Sequence, residues 1–409
     1  MMHGDYLEAA RRIVAELQTL ERERLAFSLA DVRGRVWLAT LMTSTGLSVR
    51  VDDATNVLGR LEGRDPNLRP IVVGSHLDTV SDPGRFDGAL GVLCALECAR
   101  SVAAAGESLR HPLIVSALAD EEGTATTCCW GSRALLGRLS PSERAAVAGD
   151  PSSLAQRLDD AAAEFRRHGW DVQPTRLLVP RPDFAAAAYL ELHIEQGLAL
   201  EEADPPVAVI REIAGIERYA VVFRGETGHP ATVAIARRAD AALRAAAFIQ
   251  AYWAQALELG PDCVANIGRL QAEPGDLNVV PAVVRVSIEQ RSPDPDQLAL
   301  SASRLREIAA THKGEVELLE RSHPIELSPQ LRDLILATAE ERGIDCAQVV
   351  SWAGHDAEEF ADICPAGMIS VRNRGGVSHS PRERADESDI AAGLDLLLAT
   401  LRRADTTLD

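Results

Sequence analysis

The sequence predicts an α/β chain with a mixed, largely parallel sheet, interrupted by a smaller ferredoxin-like α+β domain. Two observations carry this. Early in the chain, apolar strands alternate with helical stretches (71–75, 88–104, Leu113–Ala119), the rhythm of parallel strands joined by helices. Residues 213–325 read differently: strand 218–224, helix 231–257, strands 262–271 and 282–290, helix 297–311, strand 315–321. That β-α-β-β-α-β order is a split βαβ, an antiparallel sheet with helices on one face. The α/β rhythm then resumes with helix 329–343, strand 347–351, strand 366–371 and a final helix near 386–403. The expected domains are 1–212 with 326–409, and an inserted 213–325. The Pro-containing segments "EEADPPVAVI" and "SHPIELSP" supply the joins.

Bulk properties exclude several classes. Hydrophobic content of 46% and charged content of 25% are those of a globular chain of 409 residues. A net charge of −19 leaves no basic stripe for phosphates, so a nucleic-acid partner is not expected. The start "MMHGDYLEAARRIVAELQTL" reads as an amphipathic, charged helix and not as a signal peptide. No apolar run is long enough to span a membrane. Seven cysteines without framework spacing point to a reducing cytoplasm. Cys94 and Cys98, spaced i, i+4, read as core residues, and Cys128-Cys129 lacks nearby cysteines to complete a zinc site.

The chemistry gathers after strands. "GSHLDTVSDPGRFDGALGV" (74–92) follows a buried strand with His76, Asp78, Asp82 and Asp87, charges that are costly to bury unless paired or metal-bound. Asp120-Glu121-Glu122-Gly123 follows the next strand, His193 closes "YLELHIEQG", and His379 lies in "GGVSHSPRE". Ligand sites of such sheets collect at these strand ends. Each residue alone has an ordinary explanation, as a rim histidine, a solvated acid pair or a turn. Their coincidence argues for a metal site. Imidazole and carboxylate without thiolate suits zinc, or manganese, cobalt or nickel. Two ions need a bridging carboxylate and further ligands on each side. Asp87 can bridge, with His76 and His193 on one ion and Glu122 and His379 on the other. Glu121 is left over, where a general base would sit.

"GSHLDTV", "GRFDGALGV", "DEEGT", "LHIEQG", "GHPAT", "LNVVP", "WAGHDA" and "GGVSHSPRE" together resemble the M20-type dinuclear metallohydrolases. The nearest branch is the hydantoinase/carbamoylase one, with N-carbamoyl-L-amino-acid amidohydrolases, β-ureidopropionases and allantoate amidohydrolases. The resemblance implies a catalytic domain carrying two divalent ions, interrupted by a lid that also forms a homodimer interface. It implies ligands at His76, Asp87, Glu122, His193 and His379, and a general base at Glu121. Asp78 matches a carboxylate that orients a ligating imidazole. Gln196 matches a contact to the carbamoyl or amide end of the substrate. His229, Asn278 and Arg291 match residues that polarise the scissile carbonyl and hold a substrate carboxylate, a task suited to arginine's planar fork.

The implied activity is hydrolysis of a linear amide C–N bond in an N-carbamoyl or related ureido acid. Glu121 would deprotonate the water, and His229 would help stabilise the oxyanion. The alternatives are an N-acyl amino acid deacylase or dipeptidase on the same site, an allantoate amidohydrolase, or a binding protein without catalysis. Against the last stands Glu121, which no ion needs. Two segments depart from the branch. Thr124-Ala125-Thr126 and "TCCW" replace its usual Ser/Thr-Arg-Phe, and "PATVAI" follows His229 in place of Ala-Gly-Thr-Thr-Pro-Met. The metal residues are intact while the substrate side is not standard.

Overall fold

The computed structural model describes residues 3–149, 154–179 and 184–408. Their strands are β1 (Ser48–Val51), β2 (Val57–Leu61), β3 (Ile71–His76), β4 (Leu113–Leu118), β5 (Ala188–Ile194), β6 (Val207–Ile213), β7 (Gly215–Arg224), β8 (Val264–Glu273), β9 (Val283–Ser292), β10 (Gly314–Ser322), β11 (Ile325–Glu326), β12 (Cys346–Ser351) and β13 (Ala366–Val371). The chain divides into two compact units, 1–211 with 326–409, and 212–325.

The larger unit holds a mixed sheet in the order β1-β2-β4-β3-β5-β13-β6-β11, with β12 also paired to β6. Its centre, β4-β3-β5-β13, is parallel. Antiparallel strands flank it, β2 and β1 on one side and β6 on the other. β3, β4, β5 and β13 are buried at every residue, as central strands covered on both faces must be. Helix Ala89–Ala104 is apolar nearly all round and returns the chain from β3 to β4. Cys94 and Cys98 lie fully buried on it. The carboxyl ends of the four parallel strands therefore share one edge. From that edge leave His76, the 119–123 turn, His193 and the loop carrying His379.

The smaller unit is a four-stranded antiparallel sheet, β10-β7-β9-β8. Strand order and connections are those of a ferredoxin-like split βαβ. Tyr219, Val221, Phe223, Val284, Val286 and Ile288 point to one face, where helices Ala241–Glu258 and Pro295–Thr311 cover them. Phe248 is the centre of this core, stacked on Tyr252 and tilted against Phe223 at ring-centroid distances of 5.7 and 5.2 Å.

One expected element is shorter than the sequence suggests. The helix read over 231–257 begins only at Ala241. Asp240 caps it, its carboxylate accepting from the N–H groups of Ala242 and Leu243 at 2.9 and 3.4 Å. The preceding residues form a loop, in which Arg238 donates to the carbonyls of Val233 and Pro230.

Phe248→Ala should cost the smaller unit about 3–5 kcal/mol. Hydrogen exchange should then show faster opening of the amides in β7 and β9, with those in β3 and β5 unchanged. Equal loss of protection in all four strands would mean the two cores unfold as one.

Candidate metal centre

His76 is the last residue of β3 and is buried. Its Nδ1 is 3.1 Å from the carbonyl oxygen of Asp78, which makes Nδ1 a donor and turns Nε2 towards Asp87. His193 is held in the same way, Nδ1 3.0 Å from the Ile194 carbonyl. Both Nε2 atoms face Oδ1 of Asp87, at 3.6 Å from His76 and 3.1 Å from His193. The other oxygen of Asp87, Oδ2, is 3.3 Å from Nε2 of His379, which is also 3.3 Å from Oε2 of Glu122. The structure thus contains two three-residue groups, His76/Asp87/His193 and Asp87/Glu122/His379, sharing one carboxylate.

These spacings fit divalent ions. Two nitrogen or oxygen ligands at about 2.0–2.1 Å on a tetrahedral ion stand roughly 3.3 Å apart. The separations of 3.1–3.6 Å bracket that value. Orientation agrees as well, with the Nε2 atoms of His76 and His193 turned to Asp87 and their Nδ1 atoms tied to carbonyls.

The electrostatics are those of a strongly anionic pocket. Burial alone would lower the His76 pKa, but its hydrogen bond to Asp87 and the charges of Asp78, Glu122 and Asp87 hold it well above the usual value. His379, half exposed, is pushed up to about 10 by hydrogen bonds to Asp87 and Glu122. Asp87 stays well below the ordinary range despite burial, because three imidazoles bond to it. Burial raises Glu121 well above the ordinary range, and neighbouring Cys128, Glu122, Asp356 and Asp78 add to this. Oε2 of Glu121 is 3.7 Å from Nε2 of His76, and Glu121 belongs to neither ligand group.

Asp78 meets His76 through its carbonyl, not its side chain. The carboxylate instead accepts from the N–H of Glu122 at 3.3 Å and from Arg35 at 3.3 Å. Arg35 is fully buried, pairs with Asp31 at 2.7 Å, and donates to the carbonyls of Ala117 and Leu118 at the end of β4. It therefore ties the strand end to the turn that presents Glu121 and Glu122. Gln196 donates to Oδ2 of Asp87 at 3.1 Å and to Ser378 at 3.2 Å, so it stands beside the shared carboxylate.

His229, Asn278 and Arg291 lie in the smaller unit. The bridge between Gly228 and Val280 brings the loops of His229 and Asn278 side by side. Arg291 sits near the far end of β9, opposite Ile216, whereas Arg224 at the loop end of β7 pairs with Val283. Eight residues of strand separate the two ends, roughly 25 Å. Arg291 donates to Glu289 at 2.8 Å.

Three residues at the centre escape a reading by ligand type. Glu383 accepts from the N–H groups of Phe86 and Asp87 at 2.7 and 3.2 Å, and burial together with the Asp87 charge pushes it up to about 7. Ser378 donates to Asp87 at 2.8 Å. His355 packs edge-on against His193, with ring centroids 4.7 Å apart, and contacts Ser351 at 2.8 Å. All three occur in "GGVSHSPRE" or "WAGHDA", so a motif signal was present without a role. Gly88 has φ +62°, and a Cβ there would stand 2.4 Å from the His76 ring. No larger residue fits without displacing that imidazole.

Residues 72–403 match peptidase family M20/M25/M40. An N-carbamoyl-L-amino-acid amidohydrolase of Paenarthrobacter aurescens is 32% identical, covering 97% of this chain and 98% of the relative. An allantoate amidohydrolase of Bacillus subtilis (strain 168) is 31% identical over 91% of this chain and 90% of its own. The crystal structure of a hydantoinase/carbamoylase family amidase from Burkholderia multivorans superposes with a TM-score of 0.82 at 29% identity, covering 97% of both chains.

Arg35→Met removes the guanidinium paired with Asp31 and Asp78 and leaves Arg24 as the remaining buried cation beside them. The expected cost is about 3–5 kcal/mol, read from urea denaturation. A cost below about 1 kcal/mol would mean that Arg35 does not hold the turn.

Proposed function

The chain belongs to the M20/M25/M40 peptidase family, among its hydantoinase/carbamoylase amidases, and is a hydrolase of non-peptide C–N bonds; from that premise we propose that it cleaves an N-carbamoyl amino acid or closely related ureido acid. The observation that carries this reading is Glu121: a buried carboxylate beside two ligand groups that share Asp87, and a member of neither.

His76, His193 and Oδ1 of Asp87 would hold one divalent ion, and Glu122, His379 and Oδ2 the other. Zinc suits this donor set best, with manganese, cobalt or nickel as alternatives. When bound, the pair supplies Lewis acidity and brings the pKa of a water towards neutrality. Glu121 takes the proton of the attacking water and returns it to the leaving nitrogen. Gln196, at hydrogen-bond distance from Asp87, presents its amide to the carbamoyl end of the substrate. Arg291 clamps the substrate carboxylate, and His229 with Asn278 donates to the oxyanion. A ureido acid and one water give the free amino acid, ammonia and carbon dioxide.

The roles of Arg291 and His229 require two chains. A small ureido acid cannot reach both ends of β9, so Arg291 would serve one site while His229 and Asn278 serve another in a homodimer. Two surfaces support this. β8 is a ten-residue edge strand exposed along most of its length, with Leu270 63% exposed. The outward side of helix Ala241–Glu258 presents Trp253 and Leu257, 49% and 72% exposed. An exposed edge strand and an apolar stripe are what a partner strand and helix would cover. The seven cysteines are all unpaired, the state a reducing cytoplasm maintains, and we place the enzyme there.

Ammonia release from N-carbamoyl amino acids and allantoate, beside free-amine release from N-acyl amino acids, tests the substrate class. Turnover of N-acyl substrates alone would overturn it. Glu121→Gln should still take up about two ions per chain by elemental analysis. Its turnover should fall about 10²–10⁴-fold. Parent-like turnover with normal metal content would remove Glu121 as the base.

The dimer is tested by complementation. Arg291→Ala and His229→Ala should each be nearly inactive alone. Unfolded together and refolded, they should recover about a quarter of the parent rate, since half the dimers are mixed and half their sites are intact. No recovery, with mixed dimers present, would mean both residues act on one site.

A further inference from the structure

We propose that Cys128, Cys129 and Glu121 form a distinct site for a thiophilic divalent cation, whose occupation withdraws Glu121 from catalysis. The inhibitory part rests on Glu121 being the base.

The two sulfurs are 3.4 Å apart, and both stand within 4.8 Å of a Glu121 carboxylate oxygen. Two thiolates on a tetrahedral zinc-like ion, at about 2.3 Å each, would be roughly 3.8 Å apart. A small side-chain rotation spans that difference. The main chain fixes the three residues together, because the N–H of Cys129 donates to the Glu121 carbonyl at 3.0 Å. Cys129 and Glu121 are only 3% and 5% exposed, while Cys128 is partly open and provides the way in. Gly354 lies across from Cys128, where a Cβ would meet the sulfur at 3.5 Å.

Charge favours the capture. Binding a divalent ion releases two protons and leaves the same net charge, so the buried pocket gains no uncompensated charge. Selectivity separates this site from the nitrogen-and-oxygen groups that share Asp87, since thiolates favour softer ions. Neither cysteine has a part in the hydrolytic set. A Glu121 carboxylate bound to a thiolate-held ion loses the basicity that a proton acceptor needs, so occupation of this site would compete with the reaction.

Cadmium is the probe. Holoenzyme loaded with manganese would be titrated with cadmium, following ultraviolet cadmium–thiolate charge-transfer absorbance and ammonia release in parallel. In the parent, absorbance should saturate at about one cadmium per chain while turnover falls with the same midpoint. In Cys128→Ser the binding midpoint should move at least about tenfold higher, the loss that even an outer partner of a metal ligand causes. Cys129→Ser, checked for folding by circular dichroism, serves as the second variant, and inhibition is read against each protein's own uninhibited rate. Absence of thiolate absorbance, or the same absorbance in Cys128→Ser, would overturn the site. Saturating absorbance with turnover undiminished would overturn the role of Glu121 in it. Absorbance reports on the thiols whether or not any ureido acid is turned over, so the site and the substrate reading fail separately.

Discussion

The carboxylate of Asp87 is the constraint around which this molecule is arranged. Oδ1 faces two buried imidazoles, and Oδ2 faces a third, so a single side chain joins the two ligand groups. Such a group must be aimed at both oxygens, and the structure aims it through its surroundings. Glu383 grips the N–H groups of Phe86 and Asp87, Ser378 and Gln196 donate to Oδ2, and Gly88 lets the chain turn under His76 without touching it. These contributors come from three distant parts of the chain, and only the parallel register of β4-β3-β5-β13 puts them at one edge.

Holding that many acids in a dry place needs compensation beyond the three imidazoles. Behind the centre, Arg35 is buried against Asp31 and Asp78 and also takes the carbonyls that end β4. A buried arginine contributes little net stability in general, but it fixes geometry when its donors are satisfied in different directions. Here the geometry is that of the turn: Asp120 has φ +51°, and Asp78 receives the N–H of Glu122. Strain of this kind persists only where its surroundings over-determine it. The left-handed residue and the arginine behind it are two parts of one device for presenting adjacent glutamates in different roles.

The sequence made the strand-end residues legible because each is local to a motif: a His after an apolar strand, an acid pair after the next. Their convergence was legible only through parallel topology and the resemblance of ordered motifs. Arg35 was invisible, since it comes from a helix with no motif, and its partners are defined only by packing. Asp78 was noticed for its carboxylate, whereas its carbonyl meets the imidazole; main-chain acceptors carry no residue signature. In the smaller unit the strand order was readable from hydrophobic alternation. The over-long helix there shows the usual failure, because the alanines of "PATVAIARRAD" favour a helix while Asp240 starts one later.

The same sheet that supplies Arg291 also limits what it can do. Antiparallel pairing sets β7 against β9 residue by residue, from Gly215↔Ser292 to Arg224↔Val283, so the two ends cannot approach each other. A ten-residue strand is stiff and about 33 Å long, several times the reach of a small ureido acid. If both ends bear on catalysis, they do so at different active centres. In the proposed homodimer the smaller domain is then shared property, carrying a carboxylate clamp for one centre and oxyanion donors for the other. Assembly becomes a condition of activity and not merely of stability, and the exposed edge of β8 is where a partner strand would pair. A monomer with both ion sites filled would hold every metal ligand in one unit, yet would lack half of the groups that recognise the substrate.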